Sequence, residues 1–201
     1  IMYAVVAGVG ATIIATFAGY AIATMRFPGR NALLAVTLAF MSIPSTVITV
    51  PLFLMYSKIG LVGTPWAVII PQLATPFGLY LMIIYAQTSI PVSLIEAAKL
   101  DGANTWTIFW KVGFPLLSPG FVTVLLFTLV GVWNNYFLPL IMLSDTNDYP
   151  LTVGLNMWLK MGAQGTANGQ VPNNLIITGS LIAVVPLIIA FMFLQKYWQS
   201  G

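Results

Sequence analysis

The chain has 201 residues, of which seven are Lys or Arg and four are Asp or Glu. Charged residues make up 5% and hydrophobic residues 59%, where an average soluble domain is roughly one quarter charged. So few charges cannot cover a water-exposed surface of this size, which excludes a soluble enzyme, a disordered tail and a collagen-like fibre together. A formal charge of +3 supplies no basic patch for nucleic acid. There is no Cys and no His, so disulfides, thiolate metal sites and the commonest general base are all missing, and no metal site is expected.

A bilayer core of about 30 Å needs roughly 20 apolar residues in a helix. Five stretches qualify, at residues 1–25, 32–56, 65–86, about 119–143 and 175–194. Strands of a membrane barrel alternate over about ten residues, whereas these runs are continuous and longer. The expected fold is therefore all-α, a polytopic transmembrane helical bundle forming one domain over 1–201.

The first span has no basic region before it and no small-residue cleavage site after it, so it is not a signal peptide. Its small residues, Ala4, Gly8, Ala11, Ala15 and Gly19 or Ala18, recur at helical spacing and read as a packing seam. Prolines are expected to interrupt the second span at Pro44 and Pro51, the third at Pro71 and Pro76, the fourth at Pro139 and the fifth at Pro186. Arg26, Arg30, Lys99, Lys111 and Lys196 lie on one side of the spans and only Lys58 and Lys160 on the other. The positive-inside rule makes the first side cytoplasmic and puts Ile1 outside. Ile1 does not read as a natural start, and a sixth span is expected ahead of it.

Residues 88–118, between the third and fourth spans, gather Glu96, Lys99, Asp101 and Lys111. Ser93 and Glu96 have the spacing of a capping box, with Ser93 as N-cap. Gly102 stands where a helix would end in the left-handed conformation. Thr105 opens a second helical turn, and Pro115 is expected to stop it. The predicted form is helix, glycine turn, helix.

The pattern Glu96-Ala97-Ala98, three residues, Gly102, nine residues, then Val112, Phe114 and Pro115 resembles the EAA loop of the membrane subunits of ABC importers. Asp101 before Gly102 matches a common variant; Val112 and Phe114 depart from the Ile and Leu that the family prefers. The resemblance covers the whole chain and is nearest to the sugar permeases typified by the smaller membrane subunit of the maltose transporter. It implies a type I ABC importer permease fold with six spans in the full protein. It also implies a coupling helix, centred on Glu96, Ala97, Ala98, Asp101, Gly102 and Pro115, that docks on a cytoplasmic ATPase. The implied partners are a second permease subunit in a heterodimer, two ATPase subunits, an extracytoplasmic solute-binding protein and membrane lipid, in a prokaryotic cell membrane. No cofactor is implied in this chain; ATP and Mg would belong to the ATPase. There is no phosphate-binding loop of the G-x-x-x-x-G-K-[ST] kind, and the chain is read as a transport subunit, not an enzyme.

Trp133, Asn134, Asn135 and Tyr136 place two amides and two aromatics in the fourth span. Amides in a membrane helix are costly unless they bond within the bundle or to water, and sugars are bound by such pairs. These four residues, with Gln72 and Thr75 between Pro71 and Pro76, are candidate pathway residues. Interhelical bonding alone is the alternative. The polar stretch 144–174 is a candidate outer contact through Asp145, Asp148, Tyr149, Trp158 and Gln164; the resemblance points to a binding-protein contact, and a solvated connector is the alternative. Two other classes remain as alternatives. A self-contained secondary transporter or channel would need ionisable residues inside the spans, and an intramembrane enzyme is disfavoured by the absence of His and Cys and by too few acids for a carboxylate pair.

Overall fold

A computed structural model describes residues 1–164 and 173–198 of the chain. Helices account for every regular element among them, and no strand occurs in the described residues. α1 (Met2–Thr24) is the central post. Its small residues do form the seam: Ala4, Ala7, Gly8, Ala11, Ala15 and Gly19 are buried, while Ala18 is only partly so. A Cβ on Gly8 would stand 2.9 Å from Leu129, and one on Gly19 would stand 2.6 Å from the Met82 Cβ. The helices packed on this seam are α5 (Pro76–Ser89) and α8 (Phe114–Trp133). Thr128 Oγ1 crosses it to bond Thr12 Oγ1 at 3.0 Å and the Gly8 carbonyl at 3.2 Å. Close backbone approach replaces the hydrophobic effect, which has no purchase in lipid.

Four helical stretches are long and apolar enough to span: Met2–Thr24, Pro65–Ser89, Thr105–Trp133 and Asn174–Tyr197. A fifth crossing is made by α2 (Arg30–Met41) and α3 (Ser45–Lys58), bent by 101° at 42–44. The pair is a broken span and not a re-entrant loop, because its ends lie at opposite ends of α1. Arg30 donates to the Ala23 carbonyl at 3.3 Å, whereas Tyr56 shares an apolar cluster with Tyr3. We call these the inner and outer ends.

Several prolines behave differently from expectation. Pro44 marks a break, and Pro76 opens α5 just after the break that separates it from α4 (Pro65–Leu73). Pro51, Pro71 and Pro186 instead lie inside continuous helices. A lone proline forfeits one backbone bond, which neighbouring groups in a bundle can absorb. In the fourth span the interruption falls at 134–136, ahead of Pro139, which sits inside the short α9 (Phe137–Met142). That span also begins much earlier than residue 119. It starts at Thr105 and runs for 29 residues, about 43 Å, so its first turns extend past a hydrocarbon core of about 30 Å. Lys111 lies in those turns and is exposed.

The stretch after α9 is not a plain connector. It holds a 3₁₀ turn (Thr146–Asp148) and the 14-residue helix α10 (Leu151–Gln164). Residues 165–172 of the expected outer segment 144–174 lie outside the described residues. α11 (Asn173–Trp198) packs on α8 and α10 and leaves most of its apolar surface exposed.

Candidate functional site

At the inner end, α6 (Val92–Leu100) follows α5 directly. Its N-cap is Pro91, in the extended conformation, and no side chain caps it. The expected capping box is absent because proline already fixes φ and has no N–H to satisfy. The first turn closes between the Leu94 N–H and the Pro91 carbonyl at 3.1 Å. Glu96, exposed and one turn further in, has no hydrogen bond or ion pair among the described residues. Its neighbours part company: Ala97 is exposed, whereas Ala98 packs against the core that includes Ile90, Ile95 and Ile108.

Gly102 ends the helix as expected, at φ 79°. The Ala103 N–H donates to the Ala98 carbonyl and the Gly102 N–H to the Lys99 carbonyl, both at 3.0 Å, the paired bonds of a Schellman cap. Open space surrounds the position of a Gly102 Cβ, so the glycine is needed for its φ alone. Leu100 is 89% exposed and Asp101 is exposed beside it.

The second helix begins at Thr105 as expected and is capped by Asn104, whose Oδ1 accepts from the Thr107 N–H at 2.8 Å. Pro115 does not stop this helix. Between α7 (Thr105–Ile108) and α8 runs a π turn, Phe109–Gly113, in which the Phe114 N–H donates five residues back to the Phe109 carbonyl. The wider turn gives the pyrrolidine ring the room that an α turn denies it. Of the motif's apolar positions, Val112 and Phe114 pack on the core, and Pro115 itself is exposed.

An aromatic cluster that the sequence reading did not single out joins this segment to α1. Phe17 stacks on Trp106 at 5.7 Å and on Phe109 at 4.7 Å; Tyr20 meets Phe109 edge-on at 5.0 Å. Trp110 and Phe114 extend the chain of rings to Phe121. The signal was present in the four-residue spacing of Trp106, Trp110 and Phe114. Gly113 lets Tyr20 approach, since a Cβ there would stand 2.8 Å from its ring.

Away from the inner end, the three breaks at 42–44, 74–75 and 134–136 surround a half-open groove of about 760 Å³. Gln72, Thr75 and Asn135 line it, together with Phe40, Phe77 and Phe127. Asn135 Nδ2 donates to Gln72 Oε1 at 3.3 Å, and Gln72 Nε2 donates to the Val68 carbonyl at 3.0 Å. Thr75 caps α5 by accepting from the Gly78 N–H at 3.2 Å. The other three residues of the expected cluster point elsewhere. Asn134 is exposed outside the groove. Trp133 lines a small cleft with Tyr3 and Pro150. The Tyr136 hydroxyl accepts from Lys160 Nζ at 3.4 Å. A helix break, unlike an intact helix, turns successive residues in different directions, which is why one sequence cluster serves three places.

The outer candidates divide in a similar way. Asp145 Oδ1 accepts from the Asn147 N–H at 2.9 Å and so caps the 3₁₀ turn. The Asp148 carbonyl accepts from the Tyr3 hydroxyl at 2.9 Å. Tyr149 packs on the outer apolar cluster of Tyr56, Val68 and Met142. Trp158 lies close to Gly179 of α11, and the Gln164 side chain lies outside the described residues.

Residues 10–200 match the family model described as the inner membrane component of binding-protein-dependent transport systems. The chain belongs to this family. Among family members, it is 32% identical over 183 residues to the arabinooligosaccharide transport permease AraQ of Halalkalibacterium halodurans, covering 91% of this chain and 63% of AraQ. It is 30% identical over 208 residues to LplC of Bacillus subtilis, covering 100% of this chain and 70% of LplC. The solved structure of a bacterial ABC transporter that imports the acidic polysaccharide alginate superposes on it with a TM-score of 0.80 at 29% identity, over 98% of this chain and 72% of that one. The chain thus spans somewhat under two thirds of the length of AraQ. It is a multi-pass membrane protein of this family.

Proposed function

We propose that the chain is a membrane subunit of an ATP-driven, binding-protein-dependent importer of carbohydrate in a prokaryotic cytoplasmic membrane. It forms half of the translocation pathway and takes its driving force from a separate ATPase docked on α6. The observation that carries this reading is the form of residues 96–115. An exposed Glu96, without an ion pair among the described residues, stands on a short helix closed by a glycine at φ 79°, at the end of the bundle that bears Arg26 and Arg30. The other face of that helix joins the core, so force applied to it reaches α1 and α8. ATP and Mg would be held by the partner, and ATP hydrolysis would occur there. A second, related permease subunit would complete the pathway, and the outer turn and α10 would meet the solute-binding protein. Support for a carbohydrate comes from relatives named for arabinooligosaccharides and for melibiose, raffinose and stachyose.

The test uses the chain's lack of cysteine. Glu96→Cys introduces a single thiol, and a thiol-specific crosslinker should join it to a co-purifying ATPase subunit. Gly102→Pro and Glu96→Arg should abolish uptake in an otherwise assembled complex. Full uptake and full ATPase binding in both variants would sink the reading.

A further inference from the structure

The charge of the solute follows from the lining of the groove, an inference that rests on the importer reading. Among the described residues, no Asp, Glu, Lys or Arg lines it. Its apolar faces come from Phe40, Phe77 and Phe127, which are 51%, 46% and 47% exposed. Phe77 and Phe127 meet edge-on at 5.7 Å, leaving ring faces available. Its polar atoms include the neutral amides of Gln72 and Asn135, held together at 3.3 Å. Each amide nitrogen uses one N–H in the bonds described above and keeps a second.

This is a surface for a molecule with flat C–H faces and many hydroxyls. Rings cover the faces, and amide N–H groups meet hydroxyl and ring oxygens. A carboxylate asks for something else, a guanidinium or ammonium partner in place of its water. Nothing in the lining supplies one. We propose that the groove passes an uncharged glycan segment and is closed to uronate-type acidic saccharides. The family fold does not decide this, since a structural relative imports an acidic polysaccharide. This chain's share of the decision lies in the side chains of its groove. Its volume of about 760 Å³ is within the usual range for a small-molecule site.

The experiment uses the complete transporter, with its partner permease, ATPase subunits and binding protein, reconstituted in vesicles. ATP-dependent uptake of maltotriose, arabinotriose and raffinose is compared with that of trigalacturonate. At least one neutral probe should exceed the acidic one by roughly a hundredfold or more, the discrimination expected when a charge loses water without a partner. Uptake of trigalacturonate equal to or above every neutral probe overturns the proposal.

A pair of variants reads the groove itself. Gln72→Lys and Gln72→Glu should lower uptake of the preferred neutral probe to the same extent. A lysine that preserves or raises uptake where glutamate abolishes it would show an anionic solute and overturn the proposal. Thr46→Lys and Thr46→Glu repeat the comparison at an exposed lining position that makes no side-chain bond among the described residues, should the Gln72 variants fail to assemble. Failure of the importer reading looks different: no ATPase co-purifies and no probe is taken up with ATP, which removes both proposals together.

Discussion

At the inner end of the bundle, rings 4.7–5.0 Å apart fasten α1 to the helix that leads away from α6, and backbone turns are closed by paired bonds at 3.0 Å. Away from that end, by contrast, three crossings are interrupted around one groove, and the gap between them stays open. One region holds its geometry through dense contact; the other leaves backbone and side chains available to a solute. The long helix Thr105–Trp133 belongs to both, since its first turns enter the ring cluster and its end meets the break at 134–136. A push on α6 therefore has a stiff path to the groove.

The contrast can be broken first at the ring cluster. Phe109 is 3% exposed and touches Phe17, Tyr20 and Trp106. Phe109→Ala should cost about 3–5 kcal/mol, read as a lowered thermal midpoint of the purified complex. A cost below about 1 kcal/mol, typical of an ordinary surface change, would mean that the cluster does not fasten the inner end. Gly19→Leu comes next. Its new side chain would start 2.6 Å from the Met82 Cβ and 3.1 Å from backbone, and such overpacking costs about 1–3 kcal/mol. An unchanged midpoint would refute the seam.

The groove should answer in function and not in stability. A Cβ at Gly131, on the groove wall, meets nothing within 4 Å. Gly131→Trp should keep the fold but cut uptake roughly tenfold or more, about 1.4 kcal/mol on the barrier. Gly131→Ala should transport normally and gain up to about 1 kcal/mol of helix stability. Equal uptake in the two variants would separate the groove from the pathway. The smallest expected difference distinguishes two adjacent amides. Asn135→Leu removes the bond to Gln72, worth about 0.5–1.5 kcal/mol, and should lower uptake, while Asn134→Leu should leave uptake near normal. Equal losses would mean that the break is not what sorts them.

The sequence made some of this legible and hid the rest for physical reasons. Span count, seam and glycine turn each depend on local properties: hydropathy over some twenty residues, small residues at helical spacing, one obligatory positive φ at Gly102. Gln72, Thr75 and Asn135 stand out in the sequence because amides and hydroxyls in apolar helices are costly. Their convergence could not be read, since it depends on breaks in three different crossings. Ser93 misled because a capping spacing survives even where Pro91 has already begun the helix. Pro115 misled because the π turn that accommodates it has no sequence signature of its own. Tyr136 and Trp133 lie apart from Asn135 because residues contiguous in sequence fan out across a break.

That π turn also sets rotational phase. It spaces the two ends of the Thr105–Trp133 helix with a five-residue step where an α-helix would take four. Each residue of an α-helix turns the chain by about 100°. Deleting one residue between Phe109 and Gly113 would replace the π turn by an α turn and press the Pro115 ring against the carbonyl four residues back. Trp106 and α6 would keep nearly their present phase, because five residues through a π turn rotate the chain about as far as four through an α turn. Substitutions along this stretch change how firmly the inner end is held. A length change that the π turn does not absorb turns Glu96 by about 100° per residue.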